Sequence, residues 1–183
     1  MTNKTIEERC SFNTQRLSVS SWTNQLKEPD SEKNLAEKVI EILTPNVTKA
    51  LPDGWQNIST IVGAQEWINE RDEESHFLTV RLLKTNETIG FIFLYEADSE
   101  QKYDDLRFGY LLSEKVWGKG LGTELIEGLI NWCKAEGDIK RISGGVESDN
   151  IGSIKVLEKT GFIASTVDNP TEDVVFYEYQ FDI

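Results

Sequence analysis

The chain has 183 residues and a formal net charge of -13, from 32 acidic and 19 basic side chains. That length fits one domain, and 38% hydrophobic residues with 5 Trp, 8 Phe and 5 Tyr supply a sizeable core, which excludes global disorder. The acidic field opposes nonspecific binding to nucleic acid or to anionic membrane; it favours cationic or amine-bearing partners and also keeps the chain in solution.

From Met1 to Glu8 there is no apolar stretch like that of a secretion signal, and no run of 18 apolar residues occurs anywhere. The expected location is cytoplasmic, with no membrane span. Sequons at Asn3, Asn46, Asn57 and Asn86 carry no meaning without secretion. The 2 cysteines, Cys10 and Cys133, have no CxxC partner, and His76 is the single histidine. No zinc, redox or multi-His metal site is expected.

The first element is a strand over 15–22, where apolar and polar residues alternate. A helix capped by Asp30 or Ser31 follows. Leu35, Val39, Ile42 and Leu43 form its apolar stripe, and Pro45 ends it. After the turn signal Pro52-Asp53-Gly54, a second helix starts near Ser59 with Ile61, Ala64 and Ile68 on one face and Trp67 beside them. The period then changes. Strands over 77–84 and 88–96 flank Thr85-Asn86-Glu87 as a hairpin, and a third strand covers 106–112. The strongest helix carries Leu121, Leu125, Leu129 and Trp132 and stops at Gly137. A strand over 141–146, a short helix over 150–159 with Gly161 in the C′ position, and an alternating strand over 174–181 complete the chain. Strand-helix-strand from Leu106 to Val146 predicts a right-handed parallel unit, and the preceding hairpin predicts antiparallel neighbours. The sheet is therefore mixed, with helices on its faces.

Between the third strand and the strong helix lies Val116-Trp117-Gly118-Lys119-Gly120-Leu121-Gly122-Thr123. The first N–H groups of a helix lack intrahelical partners and carry partial positive charge. Glycines let the main chain approach an anion, Lys119 adds a full charge and Thr123 a hydroxyl, so the segment reads as a phosphate cradle. A Walker A loop needs GxxxxGK[ST], and Ser113 stands at its first glycine. The dinucleotide fingerprint GxGxxG fails as well, with Thr123 or Leu125 at its third glycine. The alternative is a tight turn whose glycines serve packing.

Phe108-Gly109-Tyr110-Leu111-Leu112 followed by Trp117-Gly118-Lys119-Gly120-Leu121-Gly122-Thr123-Glu124 resembles the core motif of the GNAT acetyltransferases, and more narrowly of their RimJ/RimL branch. Trp117 stands at the Q/R position of the general [QR]xxGx[GA] motif. Downstream, Asn150-Ile151-Gly152-Ser153-Ile154-Lys155-Val156-Leu157-Glu158-Lys159-Thr160-Gly161-Phe162 is similar to the family's NxxSxxVLExxGF, with Lys155 where Arg is frequent. The resemblance implies one α+β domain over 1–183, a three-layer α/β/α arrangement. Its mixed, mostly antiparallel sheet would have a central splayed parallel strand pair, with a cofactor-binding core at about 106–162.

It also implies acetyl-CoA as co-substrate, without a metal, and direct transfer of the acetyl group to a primary amine of a protein N-terminus, a small molecule or a polyamine. Main-chain groups of Leu111 and Leu112 would hold pantetheine. Trp117, Gly118, Lys119, Gly120, Leu121, Gly122 and Thr123 would form the pyrophosphate site, and Asn150 and Ser153 would lie near the sulfur. Ser153 is the candidate acid, or else a first-turn hydroxyl bonding to backbone; Asn150 also fits an N-cap. Tyr177 and Tyr179 are further acids by family habit. For the base, a Glu common two residues before Gly109 is replaced by Arg107. Glu147 is the candidate, or a solvated loop carboxylate, and Glu96 comes after it. Arg107 raises a second reading, a CoA-binding sensor or interaction module without catalysis. Members of the family are often dimers, so a homodimer is a further expectation.

Overall fold

The computed structural model describes residues 4–27, 31–97, 105–166 and 171–182. A short helix α1 (Ile6–Arg9) opens the chain, closed by a capping box between Thr5 and Glu8. Strand β1 (Phe12–Asn13) turns back into β2 (Leu17–Ser21), whose alternating burial is the one its sequence predicts. A 3₁₀ segment, Trp22–Lys27, precedes α2 (Ser31–Ile42); the expected cap at Asp30 lies outside the described residues. Pro45 stands just beyond the helix end at Ile42, as expected of a proline stop. It opens a separate turn, α3 (Pro45–Thr48), because proline at the first helical position gives up only an N–H that would have no partner there. Helix α4 (Ile61–Glu74) is capped by the Thr60 hydroxyl.

Strands β3 (His76–Leu82) and β4 (Thr88–Glu96) form the predicted hairpin, with Asn86 at φ 59° in its turn. Strand β5 (Asp105–Leu112) leads through a 3₁₀ turn, Glu114–Val116, to α5 (Leu121–Glu136). Strand β6 (Arg141–Glu147), α6 (Ile151–Lys159), β7 (Ile163–Ala164) and β8 (Val174–Gln180) follow. Gly137 and Gly161 end α5 and α6 with φ of 76° and 97°, a conformation glycine adopts without the Cβ penalty.

The strands form one sheet in the order β1-β2-β3-β4-β5-β6-β8-β7. Every neighbouring pair is antiparallel except β5 with β6. Leu121, Leu125, Leu129 and Trp132 of α5 and Leu157 of α6 pack with Leu106, Phe108, Leu112, Ile142 and Val146 on one face. Leu35, Val39 and Ile42 of α2 and Ala64, Trp67 and Ile68 of α4 pack with Phe77, Phe91, Phe93 and Leu111 on the other. The three layers follow from these two apolar cores. Among the described residues, no helix is long and apolar enough to cross a membrane.

The β1–β2 hairpin lies across α5 at Gly128, where an added Cβ would stand 2.6 Å from the Phe12 ring and 2.7 Å from the Thr14 methyl. Beside it, Glu124 accepts from the Thr14 hydroxyl at 2.6 Å, the Arg16 N–H at 2.7 Å and Arg16 Nε at 2.6 Å. Partial burial pushes the Glu124 carboxyl up, but these hydrogen bonds and the Arg16 charge together hold it below the ordinary carboxylate range. A carboxyl with a depressed folded-state pKa contributes stability that is present above its unfolded value, about 4.3, and lost as pH falls through the folded one. Glu124→Gln is therefore expected to lower the melting temperature at neutral pH and to flatten its decline in acid. Thermal melts between neutral pH and about pH 3, spanning the ordinary carboxylate range, check this; an acid decline identical to that of the natural protein would contradict it.

Candidate functional site

The parallel pairing of β5 with β6 is confined to Asp105↔Arg141, Leu106↔Ile142 and Arg107↔Ser143. Strand β5 nevertheless runs on to Leu112 and β6 to Glu147, so the two part beyond Arg107. Phe108 sits in the crotch. A Cβ added to Gly144 would stand 3.1 Å from the Phe108 carbonyl oxygen and 3.2 Å from two of its ring carbons, so glycine is what lets β6 pass that ring.

The other edge of β5 is satisfied by β4. Ala97 N–H donates to the Asp105 carbonyl, and Ser113 N–H to the Ile89 carbonyl. Because bonded and non-bonded rungs alternate in antiparallel pairs, Arg107, Gly109 and Leu111 direct their main-chain groups toward β4. The groups of Phe108, Tyr110 and Leu112 face the gap. Leu111 is thus corrected as a pantetheine contact: its peptide groups serve β4 and its side chain is buried in the α2/α4 core. Leu112 does face the gap, though its carbonyl already accepts the Trp117 indole N–H at 2.9 Å.

The glycine-rich turn lies at the open end of this gap. Gly118 and Gly120 have φ of 73° and 77°, and Gly120 is the N-cap of α5. The first helical bond of α5 runs from Glu124 N–H to the Gly120 carbonyl at 3.1 Å. The N–H groups of Leu121, Gly122 and Thr123 therefore point out of the helix without an intrahelical partner. A Cβ on Gly122 would stand 3.4 Å from Val156 of α6 and 3.9 Å from Leu112, which ties the turn to both walls of the gap.

Two braces hold the turn from behind. Arg16 Nη1 donates to the Lys119 carbonyl at 3.0 Å, and Lys115 pairs with Glu41 of α2. Hydrogen bonds from Lys115 and Lys38 keep the Glu41 carboxyl below its ordinary range. Lys119 is exposed, its ammonium 3.3 Å from the Lys115 carbonyl, and Trp117 is half exposed beside it. The turn thus combines outward N–H groups with the charge of Lys119, the chemistry that suits an anion.

On the α6 side, Asn150 is the N-cap, its Oδ1 accepting the Ser153 N–H at 3.2 Å. Among the described residues, the Ser153 hydroxyl bonds to neither a helix carbonyl nor a carboxylate. It lies 3.0 Å from the hydroxyl of Tyr110, which shares a face of β5 with Phe108 and Leu112. Burial pushes the Tyr110 phenol up, outweighing the downward effect of its bond to Ser153. Tyr110 lies within the strand that carries the family resemblance, yet the motif gave it no role. Its position on the same strand face as the apolar Phe108 and Leu112 was the available signal.

Glu147 ends β6 next to the core residue Val146, on the opposite face of the sheet from Ser153 and Tyr110. The structure thus brings together Tyr110, Asn150 and Ser153 but leaves Glu147 across the sheet. The other candidates are engaged elsewhere. Glu96 is 3.0 Å from His76 Nε2, the Tyr177 hydroxyl donates to Glu158 at 3.2 Å, and Tyr179 packs on Phe162 and Phe181. Arg107 is exposed, its guanidinium 5.6 Å from the Phe176 ring. Among the described residues, no group of three or more His, Cys, Asp or Glu is placed to hold a metal ion.

Comparisons with known proteins bear on this arrangement. The model of the acetyltransferase (GNAT) domain matches residues 26–163. A curated relative, the "Probable N-acetyltransferase YjcK" of Bacillus subtilis (strain 168), is 33% identical over 93 residues, which is 51% of this chain and 50% of that protein; the chain thus spans half of that relative's length. The crystal structure of a GNAT-family acetyltransferase from Bacillus anthracis superposes with a TM-score of 0.71 at 17% identity, covering 93% of this chain and 98% of the other. RimL, described as a ribosomal L7/L12 alpha-N-protein acetyltransferase in complex with coenzyme A, superposes with a TM-score of 0.71 at 15% identity, covering 94% and 99%. At those identities the structures establish the fold, while the matched model spans both the splayed strands and the glycine cradle. This chain belongs to the GNAT acetyltransferase domain family.

Proposed function

We propose that the protein is an acetyl-CoA-dependent N-acetyltransferase that passes an acetyl group directly to a primary amine, on a protein N-terminus or on a small amine or polyamine. The observation that carries this reading is the parting of β5 from β6 beside the glycine turn at the start of α5. The alpha-N-protein activity in the name of RimL is consistent with that acceptor class. The net charge of -13 favours acceptors that arrive as cations.

In this reading, acetyl-CoA supplies the activated acyl group when bound. The N–H groups of Leu121, Gly122 and Thr123, with Lys119, hold its pyrophosphate. Trp117, Gly118 and Gly120 shape that loop, and main-chain groups of Tyr110 and Leu112 hold pantetheine. A free N–H on the splayed edge of β5 is the donor for the developing oxyanion. Ser153, kept in place by the Asn150 cap, donates to the departing sulfur. An alkyl ammonium cannot attack until it loses a proton. Glu147, on the other face of the sheet, receives that proton directly or through water. Acid and base on opposite faces suit a donor and an acceptor that enter from opposite sides.

Purified protein is expected to bind CoA in a calorimeter and to release CoA thiol from acetyl-CoA when given peptides with free N-termini, polyamines or other small amines. Failure to bind CoA would sink the proposal. Tight binding without turnover across the panel would favour the second reading, a CoA-binding sensor or interaction module. The exposed cation Arg107 on the face toward which the acceptor would come is what favours that alternative. Within the leading reading, Glu147→Gln is expected to reduce kcat/KM for the amine most at low pH, where the ammonium form dominates. A loss equal at every pH would assign Glu147 another role.

A further inference from the structure

We propose that Tyr110 is a positioning residue for the leaving group: its phenol donates to Ser153 Oγ and so commits the single serine proton to the sulfur of the bound thioester. The inference rests on the acetyltransferase reading above and names a residue that neither family motif singles out.

Acidity sets the direction of the bond. The two hydroxyls are 3.0 Å apart, on β5 and on the first turn of α6. A phenol is the more acidic and stronger donor. Either hydroxyl could donate at this separation, and the greater acidity of the phenol favours Tyr110 as the donor. The Tyr110 ring is held in place by Phe108, with centroids 6.5 Å apart and planes 20° from parallel. The phenol therefore cannot swing away without disturbing the crotch between the strands.

Ser153 itself departs from helical habit. Thr160, the C-cap of the same helix, bonds back to the Val156 and Leu157 carbonyls at 2.9 and 3.0 Å, a common arrangement for a hydroxyl near helical carbonyls. Ser153 makes no bond of that kind. Its N–H is taken by Asn150, its oxygen by Tyr110, and its own proton has no partner among the described residues. Tyr110 also presents its main-chain groups to the gap between β5 and β6, so the pair stands at the wall of that gap.

In the reaction, the amine nitrogen bonds to the acyl carbon and the carbon–sulfur bond breaks with its electron pair on sulfur. The amine proton goes to Glu147 or water, and the sulfur later takes a proton from water. The Tyr110–Ser153 pair meets the charge on sulfur with a hydrogen bond, and Tyr110 keeps its own proton. Burial that raises its phenol pKa helps it do so.

The test reads the thiol of bound CoA and needs no turnover. The ultraviolet absorbance of the thiolate is titrated with pH in complexes of CoA with the natural protein, Tyr110→Phe, Ser153→Ala and the double variant. Ser153→Ala is expected to raise the bound thiol pKa by about one unit, as loss of a hydrogen bond to a charged group implies. Tyr110→Phe should raise it by about half a unit while the Kd for CoA stays within about twofold. The double variant should match Ser153→Ala, because Tyr110 acts only through Ser153. In turnover, kcat should fall in the same order with KM for acetyl-CoA unchanged. An unchanged thiol pKa in Tyr110→Phe with CoA still bound would overturn the inference and leave the acetyltransferase reading standing. So would additive effects in the double variant, or a loss of CoA affinity parallel to the loss of kcat. If the natural protein does not bind CoA, both fall.

Discussion

Gly120→Val should weaken CoA binding by at least about tenfold while leaving the protein folded. At φ 77°, Gly120 sits where an L-residue pays roughly 1–2 kcal/mol, and a β-branched one fares worst. The chain can relieve that strain only by rotating the peptide that leads into Leu121. Rotation turns aside the first of the N–H groups aimed out of α5. A Cβ there would also stand 3.7 Å from Arg16 Nη2, so a larger side chain pushes on the guanidinium that braces the Lys119 carbonyl. The anion thus loses donors in addition to meeting a bulkier wall. Two such losses of about 1 kcal/mol each are enough for tenfold or more. Stability changes less, because Gly118, Lys119 and Gly120 are exposed. Gly118→Ala is the graded comparison. Its φ of 73° carries the same backbone cost, but nothing lies within 4 Å of the added Cβ. It should show a smaller loss. Calorimetric Kd values for CoA, read beside thermal melts, decide the matter. A Gly120→Val protein with the affinity of the natural one would mean that the turn is packing and not a cradle.

Much of this site was legible from residues alone, for identifiable reasons. The glycine turn lies between a short apolar strand and a strongly periodic helix, both local patterns. Gly161 at the end of α6 and Asn150 at its start are local stop and start signals. What was not legible depends on contacts far apart in sequence. The Tyr110–Ser153 bond joins residues 43 apart. The choice of Leu112 over Leu111 depends on the register of β5 against β4, which no single strand reveals. The point where β5 and β6 separate depends on the Phe108 ring meeting Gly144. The adjacent glycines 144 and 145 within β6 were a signal of close backbone approach, but not of what approaches. Helices α1 and α3, of 4 residues each, and the 2-residue β1 are too short to show a period. A capping box holds α1, and tertiary packing holds the others.

The largest stability effect is expected at Trp67, on the face away from α5 and α6. Its side chain is 1% exposed and meets Trp55, Phe77 and Phe93 edge-on with centroids 5.4, 5.7 and 6.0 Å away, and Phe91 at 5.6 Å. The guanidinium of Arg71, itself buried, lies 5.5 Å from the Trp67 ring and 4.6 Å from that of Trp55. Trp67→Ala removes the shared neighbour of four rings and uncovers one side of a buried cation, so it should cost about 3–5 kcal/mol. That is a large part of the roughly 5–15 kcal/mol by which a domain is stable. Trp67→Phe makes a sharper test. The indole Nε1 is buried with no hydrogen-bond partner among the described residues, so its loss removes an unpaired donor while a ring stays among the other rings. Less than half the alanine penalty is expected. Denaturant midpoints at unchanged slope measure both. Equal penalties for the two variants would mean that the indole finds a partner in solution. Because this core meets the sheet on the face opposite the cradle helix, Trp67→Phe should bind CoA as the natural protein does, which separates this core from the cradle across the sheet.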